Sequence, residues 1–158
     1  MAEGRVLLTT FIEGVLVHGK AEPRVLLVPN PHTPHRGLLM PVQVPWAPGF
    51  LPSALLTAQI QQTWGIPFRV VDRAATLPVV FDERTSRLPT PWLFRLESLE
   101  GQQRLYLTHL LRAKAPDEEI PPAPAGTQWV TEAEMASVDL IPGIRRLFQA
   151  AFTATKEG

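Results

Sequence analysis

The chain has 158 residues, of which 45% are apolar and 19% charged. That is enough apolar material for the core of one ordinary domain, spanning 1–158, and it excludes a disordered protein. Fifteen basic and fifteen acidic residues cancel, so there is no electrostatic case for general binding to nucleic acid or to an anionic membrane. The absence of cysteine excludes disulfides, thiolate metal sites and a cysteine nucleophile, and is compatible with the reducing cytoplasm, the expected location. No apolar run approaches the roughly 20 residues of a membrane helix, and Met1-Ala2-Glu3-Gly4-Arg5 lacks the basic start of a secretory signal.

Charge is unevenly placed. Between Pro23 and Val71 there is no Asp or Glu, although Arg24, His32, His35, Arg36 and Arg69 fall in that window.

In chain order, Arg5 to Val17 reads as one or two strands, broken near Glu13-Gly14. Arg24 to Val28 is a short apolar strand closed by Pro29-Asn30-Pro31. Leu38 to Val44 is a further short strand, confined by Pro41 and Pro45 to an edge or a bend. Pro52 to Trp64 is the clearest helix. Pro52 suits its first turn, Gly65 and Pro67 stop it, and Leu56, Ile60 and Trp64 share one face. Strands follow at Phe68–Val71, Thr76–Phe81, Trp92–Leu96 and Gln103–Ala113, with a polar loop over Asp82–Pro91. After a proline-rich acidic loop, Thr127–Val130 is a short strand, and Thr131-Glu132-Ala133-Glu134 opens like a capped helix. Ile144–Thr153 is a terminal amphipathic helix. This order implies a mixed sheet covered by helices.

The helix and its approach resemble the Nudix (MutT-like) hydrolase superfamily, whose signature box reads G-x5-E-x7-R-E-U-x-E-E-x-G-U, with U apolar. Anchored on Gly65-Ile66, the box puts Ile60 on its inner apolar position and Pro48-Gly49-Phe50 where many members read Pro-Gly-Glu. Met40-Pro41 is similar to the Leu-Pro that precedes the box, displaced by one residue. Arg24–Val28, Gln128–Met135 and Pro142–Leu147 resemble the family's strand before the box, its late strand and short helix, and its closing helix. The resemblance implies an α/β/α sandwich and a nucleotide-like ligand.

It also exposes a conflict. Val44 stands at the first box glycine, Phe50 at the first glutamate, Ala58 at the arginine, Gln59 at the next glutamate, and Gln62-Thr63 at the glutamate pair. In the family these acids hold Mg2+ or Mn2+ against a diphosphate. Mg2+ is hard and dehydrates reluctantly, so it is held by carboxylates together with substrate phosphates. An amide neither neutralises the metal nor takes a proton from water, and general-base catalysis alone is worth roughly 10² to 10⁴ in rate. The expectation is a degenerate member that binds a nucleotide-like or phosphorylated ligand, or a protein partner, with no metal cofactor and no efficient hydrolysis. The alternative is an active pyrophosphate hydrolase that uses Mg2+ or Mn2+ on acids outside the box, such as Glu83, Glu97, Glu118 or Glu132. A third reading is a structural or homodimer-forming protein, with Trp46, Phe50 and Trp64 as anchors.

Ligand-contact candidates are Arg36, Arg84, Trp92 and Tyr106, with Arg36, Phe50 and Gln59 bordering the former metal groove. Arg84 and Arg87 lie in the densest charge cluster, Asp82–Arg87, where a guanidinium would hold a phosphate or carboxylate. Each has a plain structural reading too: core aromatics for Trp92 and Tyr106, a polar turn for Arg84. His32-Thr33-Pro34-His35 lacks a third ligand and reads as a loop with two solvated histidines. His18 and His109 read as structural.

Overall fold

The computed structural model describes residues 7–31, 35–47, 49, 51–65, 68–70, 79–80, 86–87, 91–114, 119–120, 122–123 and 126–157. The strands are β1 (Leu7–His18), β2 (Arg24–Pro29), β3 (Leu39–Met40), β4 (Val42–Pro45), β5 (Phe68–Val70), β6 (Val79–Val80), β7 (Ser86–Arg87), β8 (Leu93–Leu99), β9 (Gln102–Ala113) and β10 (Gln128–Thr131). Helix α1 (Pro52–Trp64) follows β4, and α2 (Arg145–Glu157) ends the chain after a short 3-10 turn at Glu134–Ser137.

Eight strands form one mixed sheet in the order β10-β2-β1-β9-β5. β3 joins β2, β4 joins β1, and β8 joins β9. Its axis is the parallel pair β1–β9, which runs in register from Leu7 opposite Gln102 to Val17 opposite Arg112. The other pairings are antiparallel. β6 and β7 pair antiparallel as a separate two-stranded sheet, so Ser86–Arg87, expected within a polar loop, is a strand.

Strand alternation sorts the core into two layers. On one face Ile12, Leu16, Leu26, Val42, Val44 and Leu111 pack with Leu56 and Ile60 of α1. On the other, Val15, Val17, Val25, Leu27 and Leu110 pack with Ile144, Leu147, Phe148, Ala151 and Phe152 from the α2 end of the chain. Leu56, Ile60 and Phe148 are fully buried, each worth roughly 1.5–3 kcal/mol of burial. Helix α1 begins with Pro52 in its first turn. It ends at Gly65, whose φ of 68° is left-handed and whose N–H donates to the Gln61 carbonyl at 2.9 Å.

β1 is one unbroken strand; the expected break at Glu13-Gly14 does not occur. A Cβ on Gly14 would lie 3.0 Å from Cδ2 of Leu56, so the glycine serves the close approach of α1 to the sheet. The Leu38–Val44 segment does bend at Pro41, giving β3 and β4. Thr131 and Glu134 form the expected reciprocal cap: Thr131 Oγ1 accepts from Glu134 N at 3.2 Å and donates to Glu134 Oε1 at 2.8 Å. The turn it opens is a 3-10 turn of four residues, so the α-helix implied there is corrected to that. Of the Thr76–Phe81 strand only Val79–Val80 lie within the described residues. Among the described residues, no helix is long and apolar enough to cross a membrane.

Candidate functional site

The α2 layer begins at Val15 and Leu110. Toward the other end of the same strands, the sheet face that bears α2 turns polar. Glu13 lies there, fully buried, one residue before the glycine that faces α1. A buried carboxylate must be paired and hydrogen-bonded, and Glu13 has four donors. Its Oε1 accepts from Arg95 Nε at 3.1 Å and Thr108 Oγ1 at 3.0 Å. Its Oε2 accepts from Arg95 Nη2 at 2.5 Å and Gln43 Nε2 at 3.1 Å. Register explains the convergence: Glu13 sits opposite Gln43 on β4 and Thr108 on β9, and Arg95 on β8 is one pair away, opposite Tyr106.

The Arg95 guanidinium carbon lies 3.8 Å from the Tyr106 ring centroid, and Tyr106 stacks on Phe11 at 5.5 Å. A guanidinium over an aromatic face is attracted by the ring quadrupole. Burial opposes the charge on Arg95 most strongly of any single effect, but the hydrogen-bonded Glu13 carboxylate, together with Tyr106 and Glu97, raises the pKa above the ordinary arginine value. Burial, then the Glu97 carboxylate, push the Tyr106 phenol above its ordinary 10.0, against the pull of Arg95 and Arg104. Glu97 completes the cluster, 4.0 Å from Arg95 Nη1 and 3.6 Å from Arg104 Nη1. The Glu13 carboxylate is saturated by its donors. Its chemical role is therefore to hold Arg95 over the Tyr106 ring, with Arg104 beside it.

On the opposite side of the sheet, Ala58, Gln59, Gln62 and Thr63 lie exposed on α1. Gln59 Nε2 donates to Thr63 Oγ1 at 3.1 Å. Alternation along β1 directs Glu13 away from this helix, because Gly14 faces it.

The chain is similar in three dimensions to several solved structures. Over 92% of its length it matches a hydrolase of the NUDIX family from Clostridium perfringens, covering 97% of that chain with a TM-score of 0.67 and 10% identity. It matches the Ap4A hydrolase of C. elegans over 94% of its length and 98% of the other, with a TM-score of 0.62 and 12% identity. It matches the NUDIX domain of Shewanella oneidensis NrtR, solved in complex with ADP ribose, over 97% of its length and 90% of the other, with a TM-score of 0.60 and 12% identity.

The chain has the Nudix fold.

No family model and no curated protein matches it. Within the Nudix architecture, α1 occupies the span expected for the box helix, from Pro52 to the Gly65 stop. Of the box positions, Ala58, Gln59, Gln62 and Thr63 are described and exposed, and Phe50 lies outside the described residues. Of the ligand candidates, Tyr106 sits in the polar cluster. Trp92, half-buried just before β8, packs against the α2 layer instead. Arg36 donates from Nε to the Pro31 carbonyl at 3.2 Å, within its own loop. Arg84 lies outside the described residues, as do Glu83, Glu118 and His32. Glu132 pairs with Lys156 at 2.6 Å. His18 and His109 are buried, with His18 edge-on to Trp129. Among the described residues, no three His, Cys, Asp or Glu side chains come together as a metal-binding group.

Sequence reasoning missed Glu13 and Arg95. A glutamate inside an apolar strand was the available signal, since such a group needs a buried partner.

Proposed function

We propose that this chain is a Nudix-superfamily member with a degenerate box, one that binds a nucleotide-like or phosphorylated small molecule without metal-dependent hydrolysis. The observation that carries the reading is the exposed face of α1, where two amides and a hydroxyl stand at the positions of the metal-binding acids and Gln59 donates to Thr63. These donors do not fit Mg2+ or Mn2+, which require anionic oxygens to offset the charge and the dehydration of the ion. Ligand binding on this reading therefore needs no metal.

What supports ligand binding is the other face of the sheet. Arg95 Nη1 and Arg104 offer anion donors beside the Phe11–Tyr106 stack, and a nucleotide combines an aromatic base with anionic phosphates. The ADP ribose bound by the NrtR domain is a ligand of this class. Arg36, Arg84 and Trp92 remain candidates for the outer contacts. The competing hydrolase reading needs acids from elsewhere, and two of its four candidates, Glu97 and Glu132, already face Arg104 and Lys156. The same reading assigns the protein to the cytoplasm, where nucleotides are its natural ligands.

Calorimetric titration with ADP-ribose in Mg2+ and then in EDTA tests the proposal. Saturable binding of equal affinity in both is expected. No binding in either, or binding that requires Mg2+, overturns it.

A further inference from the structure

β8 pairs with β9 along one edge, and among the described residues no strand lies along its other edge. A free edge of seven residues is a template for another strand, and natural sequences blunt such edges with proline, lysine or a bulge. Leu93–Leu99 contains neither residue and its register with β9 runs without interruption; its charges, Arg95 and Glu97, lie on the α2 side and decide which partner register is allowed. On the side of the sheet that bears α1, Phe94 is 60% exposed and Leu96 55%, with Leu8 of β1 at 54% on the same face. On the side that bears α2, β8 presents Arg95 and Glu97. Arg95 gives Nε and Nη2 to Glu13, while Nη1 has Glu97 at 4.0 Å. Glu97 is held by ion pairs at 3.6 and 4.0 Å, longer than hydrogen bonds.

We infer that β8 pairs antiparallel with β8 of a second copy of this chain, about a twofold axis through Leu96. The charge pattern selects both occupant and register. Directly opposed residues share a face, and like charges opposed across strands are destabilising. An axis at Arg95 would oppose the two Arg95 side chains, and one at Glu97 the two Glu97 side chains. A parallel in-register pairing would oppose both like pairs. The axis at Leu96 sets each Arg95 against Glu97 of the other copy, twice by symmetry, and brings Leu96 against Leu96 with Phe94 beside it. The strand is its own complement, which an arbitrary peptide would not be. The surface also differs from the Trp46, Phe50 and Trp64 anchors suggested by sequence: Trp64 is half-buried, Phe50 lies outside the described residues, and Trp46, though 40% exposed, is not on β8.

Strand pairing through β8 needs no ligand, although Arg95 and Glu97 belong to the cluster proposed to hold one. Sedimentation velocity of the full chain from about 1 μM to a few hundred μM should give a concentration-dependent dimer. Leu96→Glu should yield monomer at every concentration. Leu7→Glu, at a 65% exposed position on β1, should leave the dimer intact. Glu97→Lys, which opposes like charges twice, should raise the dimer dissociation constant about tenfold or more. Amide hydrogen exchange should slow within Leu93–Leu99 as concentration rises, and this readout needs no variant. A monomer throughout, a dimer that survives Leu96→Glu as a folded protein, or β8 amides whose exchange ignores concentration would overturn the inference.

Discussion

Arg95 grips Glu13 through two nitrogens, across 82 residues of sequence, and thereby stands over the ring of Tyr106. This pair ties β8 to the centre of the sheet. It also fixes a cation at the face where a ligand is proposed to bind. Removing one partner of a buried pair strands the other, at a cost of roughly 3–5 kcal/mol, less where the survivor reaches solvent. Arg95 is 17% exposed. Glu13→Gln should therefore cost about 3 kcal/mol, read as a fall in the urea midpoint with little change in slope. Arg95→Leu combined with Glu13→Leu should cost clearly less than the sum of the single changes, because no charge is left buried. Additive costs would mean the pair is not coupled in solution.

The close approach at Gly14 makes a second prediction. A Cβ there would meet Leu56 Cδ2 at 3.0 Å and Leu16 Cδ1 at 3.2 Å, inside a packed layer. Gly14→Ala should destabilise by about 1–3 kcal/mol through overpacking. Leu56→Val in the same chain should recover part of that loss, as measured by thermal unfolding of the two variants and their combination.

Glu134 gives a pH prediction. The hydroxyl and the backbone N–H of Thr131 both donate to its carboxylate and hold its pKa below the ordinary 4.5. A carboxylate whose folded pKa is depressed contributes stability that is present above its unfolded pKa and is lost as pH falls through the folded value. The wild type should lose this contribution below about pH 4.5. Glu134→Gln should lack that component of acid sensitivity, and urea midpoints compared between about pH 5 and pH 3 measure it.

For the ligand, Arg95→Lys should weaken ADP-ribose binding by roughly tenfold. Lysine keeps the charge but loses both the bidentate grip on Glu13 and the guanidinium contact over the Tyr106 ring. Tyr106→Leu should weaken binding by a similar factor, since the ring lies under Arg95 and stacks on Phe11. Calorimetry on the folded variants measures both losses.

Local chemistry made much of the fold legible. Pro52 and Gly65 set the ends of α1 where the sequence indicated, because a missing N–H and a left-handed turn are properties of single residues. β1 was harder. Glu13-Gly14 has the look of a break when its neighbours in sequence are the only guide. Its real partners, Gln43, Leu56, Arg95 and Thr108, are supplied by four different elements far along the chain. Tyr106 was visible as a candidate aromatic, but its significance came from Arg95, which only strand register brings near. The neutral face of α1 was fully readable, since it depends on residue type at fixed helical spacing.

On the proposed reading, amides and a hydroxyl at the metal positions of α1 do not support metal-dependent hydrolysis. The most direct measurement is phosphorus NMR of ADP-ribose and nucleoside diphosphates incubated with stoichiometric protein and excess Mg2+ or Mn2+. Substrate resonances should stay unchanged over many hours. Growth of monophosphate signals that stops on adding EDTA would contradict it.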